Sequence, residues 1–171
     1  ADFDVPQPFA TDYPDQGVRS QWALPAHIQL GARWHRDAYS LALEVGFDLW
    51  SIQKQAVFEL EATEALTIDY NWRNSASVRL GGHWSPNPWL TLRAGGYVDG
   101  LPAPSPVSTL SPASPDATRL GVTAGAGLDW ADKIGINFAY EGMALLPRTS
   151  QSEDAPLATY KGQAHFLGLS T

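Results

Sequence analysis

The clearest feature of this sequence is a strict alternation of apolar and polar residues along several segments. Between Arg119 and Trp130, the even-numbered positions carry aliphatic residues and end on tryptophan, while the odd-numbered positions carry glycine and isolated polar residues. Each such set of alternate positions is called a parity below. The same period of two recurs in the segments 27–35, 39–49, 75–84, 90–99 and 133–141. Such alternation predicts antiparallel β-strands whose two faces meet different surroundings. We therefore expect an all-β protein.

The chemistry of the two faces helps to distinguish a membrane barrel from a soluble β-sandwich, because both architectures alternate. The polar face of a sandwich meets water and should carry many Lys, Glu and Thr residues. Here the polar parity is rich in Gly with isolated Arg, Asp and Glu, and the apolar parity is aliphatic with aromatic residues at its ends. Aliphatic positions bordered by aromatic residues suit strands that cross a bilayer. We favour the membrane barrel and keep the soluble sandwich as the alternative.

The predicted connections are short at one end of the sheet and long at the other. Tight turns are expected near 36–37, 85–88 and 131–132, and long loops over 100–116 and 147–157. This asymmetry is typical of bacterial outer-membrane barrels, in which the short turns are periplasmic. Four tryptophans flank the tight turns and are predicted to form a membrane-interface girdle: Trp34, Trp84, Trp89 and Trp130. The expected architecture is an antiparallel up-and-down transmembrane β-barrel.

About seven strands follow from placing the tight turns at one end. They are predicted near 24–34, 38–60, 65–84, 88–99, 117–130, 132–146 and 158–170. The second strand changes phase between Ser51 and Gln55, as a β-bulge would cause. Residues 1–21 are expected to form an extended N-terminal segment, and residues 22–171 the barrel portion. Because single-chain bacterial barrels usually have an even number of strands, and open edges are costly in lipid, further strands should complete the ring.

Composition agrees with a barrel and argues against several other classes. The 171 residues include only 17% charged residues but seven tryptophans, as expected when one face meets lipid and aromatic residues mark its rim. The formal charge of −7 argues against a nucleic-acid partner. The absence of cysteine excludes disulfide scaffolds, thiolate zinc sites and thiol catalysis. No apolar run approaches the ~18 residues of a membrane helix.

Polar residues on the inward parity are the candidate ligand contacts. Their structural interpretation is a set of cross-strand ion pairs, and their functional interpretation is contact between an arginine and a substrate carboxylate. Arg79 and Arg93 are the first candidates, because the turn at 85–88 places them on adjacent strands. Tyr140 has the lipid-facing parity. The lumen-facing candidates are Arg33, Glu44, Arg79, Arg93, Tyr97 and Arg119, and the further inward charges are Asp48, Asp99, Asp129, Lys133 and Glu141.

The four histidines do not indicate a catalytic or metal site. His27, His35, His83 and His165 are all predicted on the lumen parity. None belongs to an HExxH motif or neighbours a serine-nucleophile motif. The segment GVTAGAG from Gly121 lacks the Lys-Ser/Thr ending of a phosphate-binding loop. We therefore expect no cofactor, no metal ion and no enzymatic activity.

Several segments occur in an order and spacing that resemble a known family. They are LPAHIQLG from Leu24, DLWS from Asp48, NWRN from Asn71 followed by SVRLGGHW, LRAGGYVDG from Leu92, PDATR from Pro115, INFAYEGM from Ile136 and AHFLGLS from Ala164. Over residues 22–171 the chain resembles the C-terminal half of the FadL/TodX-type outer-membrane transporters of long-chain fatty acids and other hydrophobic compounds. This resemblance implies about half of a fourteen-stranded barrel. The family's N-terminal hatch, and its early kinked strand, have no counterpart in this chain.

The resemblance implies an integral protein of the bacterial outer membrane that takes part in passive uptake of long-chain fatty acids or other hydrophobic molecules. The expected partners are membrane lipid, a hydrophobic small-molecule ligand, and a second, non-identical polypeptide or missing N-terminal half that completes the ring. Two identical copies would meet at parallel edges. A structural subunit of an outer-membrane complex is the alternative function, and an outer-membrane enzyme is a more remote one. The sequence opens at Ala1 without the charged and apolar regions of a signal peptide. Its last residue is Thr171, where such barrels commonly have an aromatic residue. We therefore expect a fragment, a processed product or a natural half-barrel.

Overall fold

The computed structural model describes residues 2–3, 16–61, 64–101, 103–110, 116–130, 134–151 and 157–171. The strands of these ranges are β1 Asp2–Phe3, β2 Gln16–Ser20, β3 His27–Arg36, β4 Tyr39–Asp48, β5 Gln55–Leu60, β6 Leu66–Asp69, β7 Ser75–Asn87, β8 Leu90–Leu101, β9 Arg119–Trp130, β10 Ile134–Thr149 and β11 Thr159–Ser170. Short 3-10 helices lie at Trp50–Ile52 and Val107–Thr109. Within the described ranges, no helix is long and apolar enough to cross a membrane.

The strands with the clearest alternation form one antiparallel sheet of seven strands, in the order β11-β10-β9-β8-β7-β4-β3. Successive strands pair in register, from Trp34 opposite Leu41 in β3–β4 to Phe138 opposite Leu169 in β10–β11. Because side chains alternate along a strand with the same period as the sequence pattern, the aliphatic parities of neighbouring strands share one face. The predicted all-β, antiparallel, up-and-down arrangement is confirmed.

The two edge strands of this sheet, β3 and β11, do not pair with each other in the described part of the chain. Within these residues, β3 pairs only with β4, and β11 pairs only with β10. The sheet is therefore a partial barrel with two open edges. This confirms the expected wall of about seven strands and the expectation that these strands do not close a ring by themselves.

Tight turns join the strands at one end of the sheet. β3 and β4 are joined by Asp37 and Ala38, and Asp37 has a φ of +48°, a left-handed conformation that a short polar side chain tolerates. Pro88 and Trp89 form the turn between β7 and β8. The Ser85 N–H donates to the Ala38 carbonyl at 2.8 Å, which links the two hairpins at this end. The turn predicted at 131–132 lies outside the described residues.

The bounds predicted for the second and third strands are wrong. The alternation predicts strands over 38–60 and 65–84, whereas β4 ends at Asp48 and β7 begins at Ser75. Between them, β5 and β6 pair in a second sheet, whose strand order is β1-β2-β5-β6. The chain therefore leaves the seven-stranded sheet at its long-loop end and returns to it at the same end.

The cause of this departure lies at the phase change after Asp48. The 3-10 helix Trp50–Ile52 turns the chain, and the Gln53 N–H donates to the Trp50 carbonyl at 2.9 Å. The buried Gln53 side chain then accepts the Ala23 N–H at 3.3 Å and donates to the Gln55 carbonyl at 3.1 Å. The phase change thus marks the end of β4. The expected β-bulge would instead have let the strand continue in the same sheet.

The aliphatic parity of the seven-stranded sheet forms an exposed apolar face, called here the outer face. Leu30, Val122 and Leu167 on this face are 69%, 62% and 86% exposed. The fully buried hydrophobic residues of the described chain lie outside this sheet: Ala56, Ala103, Leu110 and Ala117. A soluble protein rarely exposes so extended an apolar area, whereas lipid-facing strands require one. The opposite parity forms the inner face.

Spin labels on adjacent residues should distinguish the two faces, since the chain has no native cysteine. In lipid vesicles, labels on Leu43→Cys and Val122→Cys should collide mainly with oxygen, which concentrates in hydrocarbon. Labels on their neighbours, Ala42→Cys and Thr123→Cys, should collide mainly with a water-soluble nickel chelate. Paramagnetic relaxation measured by electron spin resonance reports both collision rates. If the outer-face labels were shielded from oxygen as well as from nickel, the apolar face would be the core of a soluble sandwich.

Candidate functional site

A cavity of about 700 Å³ lies against the inner face and extends across β4, β7, β8, β9, β10 and β11. Part of its floor is a row of small residues, because the register places Ala42 opposite Gly81, Gly81 opposite Gly95 and Gly95 opposite Thr123. No large side chain rises from this row. The fold therefore leaves an apolar space above the middle of the sheet.

The row next to this floor, on the long-loop side, is charged. Glu44 lies opposite Arg79, and Arg79 lies opposite Tyr97. The Arg79 guanidinium donates from Nη1 to Glu44 Oε1 at 2.8 Å and to Ser77 Oγ at 3.3 Å. A wall carboxylate thus compensates the Arg79 charge. This is the cross-strand ion pair that the structural interpretation of the inward charges predicts.

Arg93 borders the floor on the tight-turn side and has a different partner. Its Nη1 donates to the amide oxygen of Asn137 at 3.3 Å. The guanidinium passes over Gly127, where an added Cβ would lie 3.0 Å from Nη1. Among the described residues, no carboxylate forms an ion pair with Arg93. In this cavity, Arg93 is therefore the arginine with a positive charge available to an anionic group.

Tyr97 ties together three strands of the inner face. It pairs with Gly121 across β8–β9, and its ring occupies the space that a Gly121 side chain would fill. Its hydroxyl reaches over β9 and donates to Glu141 Oε1 on β10 at 2.5 Å. The absence of a side chain at Gly121 is what permits this path. Tyr97 and Glu141 both line the cavity, as their parity predicts.

Two of the predicted site residues lie away from this cavity. Arg119 pairs with Asp99 at 3.3 Å and lines a second cavity of about 340 Å³ at the long-loop end. Arg33 belongs to the open-edge strand β3, and its Nε donates to Ser40 Oγ at 2.9 Å. The structure therefore brings Glu44, Arg79, Arg93 and Tyr97 together around the main cavity and separates Arg119 and Arg33 from them.

Asn137 and Phe166 line the main cavity although they were not among the predicted site residues. Asn137 has the inward parity, and it was missed because only charged and tyrosine residues on that parity were considered. Phe166 faces inward because it pairs with Glu141. The signal that could have identified Phe166 is a large aromatic residue on the parity opposite to Leu167 and Leu169. Lys133 lies outside the described residues.

The prediction that His165 faces the lumen is wrong. The register pairs His165 with Gly142, which places it on the outer face with Leu167. Its Nδ1 lies 2.9 Å from the hydroxyl of Tyr140, whose outer-face position is as predicted. The other three histidines keep the inner parity. The described residues contain no group of three or more His, Asp or Glu side chains that could hold a metal ion.

The four tryptophans of the predicted girdle lie at the tight-turn end of the sheet. Trp34, Trp84 and Trp130 are on the outer parity near strand ends, and Trp89 is in the β7–β8 turn. All four are exposed, and Trp84 stacks on Tyr39 with ring centroids 6.1 Å apart. A common position at one end of the sheet is what an interface girdle requires, and the contact of these tryptophans with the membrane surface stays a prediction.

The contact between Tyr97 and Gly121 should have a measurable effect on stability. Gly121→Val should displace the Tyr97 ring and lower the free energy of unfolding by about 1–3 kcal/mol, the usual cost of overpacking. Gly31→Ala is the matched control, because an added Cβ there meets only the Leu43 carbonyl oxygen at 3.6 Å. Urea titration of the full chain in micelles measures both changes. Equal effects of the two substitutions would contradict the proposed fit.

Comparison with known proteins agrees with this geometry. The sequence matches the family model described as outer membrane protein transport protein (OMPP1/FadL/TodX) over residues 11–170. Among solved structures, the crystal structure of a Pseudomonas aeruginosa FadL homologue matches with a TM-score of 0.68 and 19% sequence identity. The match covers 92% of this chain and 38% of that chain. A comparison with curated proteins finds no match.

These matches confirm the resemblance that the ordered segments suggested, and they decide for the transmembrane barrel over the soluble sandwich. The structural match lies in the C-terminal part of the FadL homologue, so this chain corresponds to a portion of such a barrel. The chain belongs to the OMPP1/FadL/TodX family of outer membrane transport proteins and is an integral protein of the bacterial outer membrane.

Proposed function

We propose that this chain forms part of a passive path for hydrophobic molecules across the outer membrane. The family is one of transport proteins rather than enzymes. The main support from the structure is the cavity on the inner face, where an apolar floor of Ala42, Gly81 and Gly95 lies beside Arg93. Passage through such a cavity needs only diffusion, without a cofactor or a covalent step.

The chemistry of the cavity favours an amphipathic ligand with an apolar chain and an anionic head. Ala42, Gly81 and Gly95 give an apolar chain a surface without projecting polar side chains. Arg93 can then offer its guanidinium to a carboxylate, since Asn137 is a neutral partner. Arg79 is less suited to this role because Glu44 already compensates its charge. A long-chain fatty acid has both of the required parts.

Removal of the Arg93 charge should weaken binding of the acid but not of the corresponding alcohol. A charge-assisted hydrogen bond predicts a loss of about tenfold in fatty-acid affinity for Arg93→Gln. The alcohol of equal chain length should bind to both forms of the protein similarly. Arg119→Gln is the control, because Arg119 lies outside this cavity and pairs with Asp99. Titration of the unsubstituted protein and both variants with each ligand in micelles gives six affinities. Acid binding that is insensitive to Arg93→Gln would exclude this role.

We further propose that a polypeptide segment outside these 171 residues completes the ring. It is either the remainder of a longer protein or a separate, non-identical chain. The support is the pair of open edges at β3 and β11, which lipid leaves without hydrogen-bond partners. The division into an N-terminal segment 1–21 and a barrel portion 22–171 stays a prediction.

Native mass spectrometry of the protein extracted from membranes tests ring completion directly. The expected result is additional polypeptide of similar mass to this 18.5 kDa region, on the same chain or bound to it. Detection of a stable particle that contains a single copy of this region alone would contradict the proposal.

A structural subunit without transport is the second candidate function. The observation in its favour is that Glu44–Arg79, Asp99–Arg119 and Tyr97–Glu141 already satisfy one another across strands. Such a wall is stable without a ligand. The titrations described above separate the two candidates. A purely structural wall would show no saturable affinity for fatty acid or alcohol even without the Arg93→Gln substitution.

A further inference from the structure

The second cavity, at the long-loop end of the inner face, has a different chemistry from the main one. Its volume is about 340 Å³, which is within the lower range for small-ligand sites. The residues that define its chemistry are Asp48, Trp50, Trp72, Asp99, Asp116 and Arg119. Two large aromatic rings and three carboxylates thus line one cavity.

The two tryptophans form an aromatic corner. The ring centroids of Trp50 and Trp72 are 4.9 Å apart, and the ring planes are inclined at 82°. Tyr70 also contacts Trp72, with a centroid distance of 4.9 Å, and the ring of Trp22 lies 5.7 Å from that of Tyr70. The corner is therefore backed by further aromatic rings. Both tryptophans line the cavity, and an aromatic ring attracts a cation that lies over its face within about 6 Å of the ring centroid.

The carboxylates around this corner outnumber the guanidinium groups that contact them. Asp99 pairs with Arg119 at 3.3 Å, and Asp116 lies 3.8 Å from Arg148. Among the described residues, the one side-chain partner of Asp48 is an imidazole nitrogen, His27 Nδ1, at 2.8 Å. The cavity is therefore net negative whenever that imidazole is neutral, and it attracts a cation.

Hydrogen bonds hold the walls of the cavity in place. The Ser105 N–H donates to Asp116 Oδ2 at 2.8 Å, and Arg148 Nη2 donates to the Ser105 carbonyl at 2.7 Å. The Arg73 N–H donates to the Pro104 carbonyl at 2.9 Å, which joins the Trp72 segment to the β8–β9 loop. Both sides of the cavity are thus fixed before any ligand arrives, which lowers the ordering cost of binding.

The geometry points to a binding site for a small quaternary-ammonium cation in this cavity. The aromatic corner contacts the methyl groups and attracts the charge through its ring faces, while Asp48 adds long-range attraction. A quaternary ammonium suits the site better than a primary amine, because it needs no hydrogen-bond acceptor and all three carboxylates already have partners. This site is separate from the fatty-acid cavity proposed above.

Binding of choline and of its neutral carbon isostere, dimethylbutanol, tests the charge requirement. The full chain is kept in a sugar-headed detergent, since zwitterionic detergents carry the same quaternary group. Isothermal titration should show saturable choline binding and about tenfold weaker binding of the alcohol. Equal affinities would show that the cavity is only an apolar space, and lack of choline binding would overturn the proposal.

Variants locate the site and separate it from the main cavity. Trp72→Ala and Asp48→Asn should each weaken choline binding by about tenfold, whereas Arg93→Gln should leave it unchanged. Circular dichroism checks that each variant keeps its strand content. Because Trp72→Ala could disturb the aromatic cluster, Asp48→Asn serves as the independent variant. Choline affinity that is unchanged in both, or that is lost in Arg93→Gln, would place the cation elsewhere and contradict the assignment.

Discussion

The need to pair every backbone N–H and C=O group in the hydrocarbon of a membrane determines most of this structure. In the seven-stranded sheet, β10, β9, β8, β7 and β4 each have a hydrogen-bonded neighbour on both sides. Among the described residues of this sheet, only β3 and β11 therefore carry open edges. An unpaired backbone group in lipid costs several kcal/mol, about as much as a protein's whole margin of stability when a few are summed. Backbone pairing therefore determines the strand order and register, and the register in turn determines which face each side chain occupies.

The inner face carries out two tasks with different residues. Arginines that pair with wall carboxylates, such as Arg79 with Glu44, stiffen the sheet by joining neighbouring strands. Positions that lack large side chains, such as Gly81 and Gly95, leave open space. Arg93 lies at the boundary between the two, because its partner is a neutral amide. Under the proposed function, charge compensation, and not charge alone, distinguishes a ligand contact from a wall contact.

The faces and the number of wall strands could be predicted from the sequence because the alternation is imposed by lipid on one side. The bounds of the strands within residues 49–74 could not, since Ala56, Phe58 and Ile68 alternate equally well in a second, separate sheet. The position of His165 follows from its parity and not from its residue type, since it shares a face with Leu167 and Leu169. Arg119 and Arg93 have the same parity and type, and only their heights along the strands place them in different cavities.

The tryptophans show how the asymmetry of the connections divides one residue type between two roles. At the tight-turn end, the turns are too short to cover a large ring, so Trp34 and Trp84 remain exposed beside the outer face. At the other end, the long segments between strands supply enough chain to enclose Trp50 and Trp72, which are only partly exposed and contact each other. Exposed rings at a strand end suit the membrane interface, where an aromatic side chain has both apolar and polar neighbours. Partly covered rings beside carboxylates instead form the corner to which we assign a cation. Trp22, at the same end of the sheet, is 51% exposed, so a long segment permits such cover without imposing it.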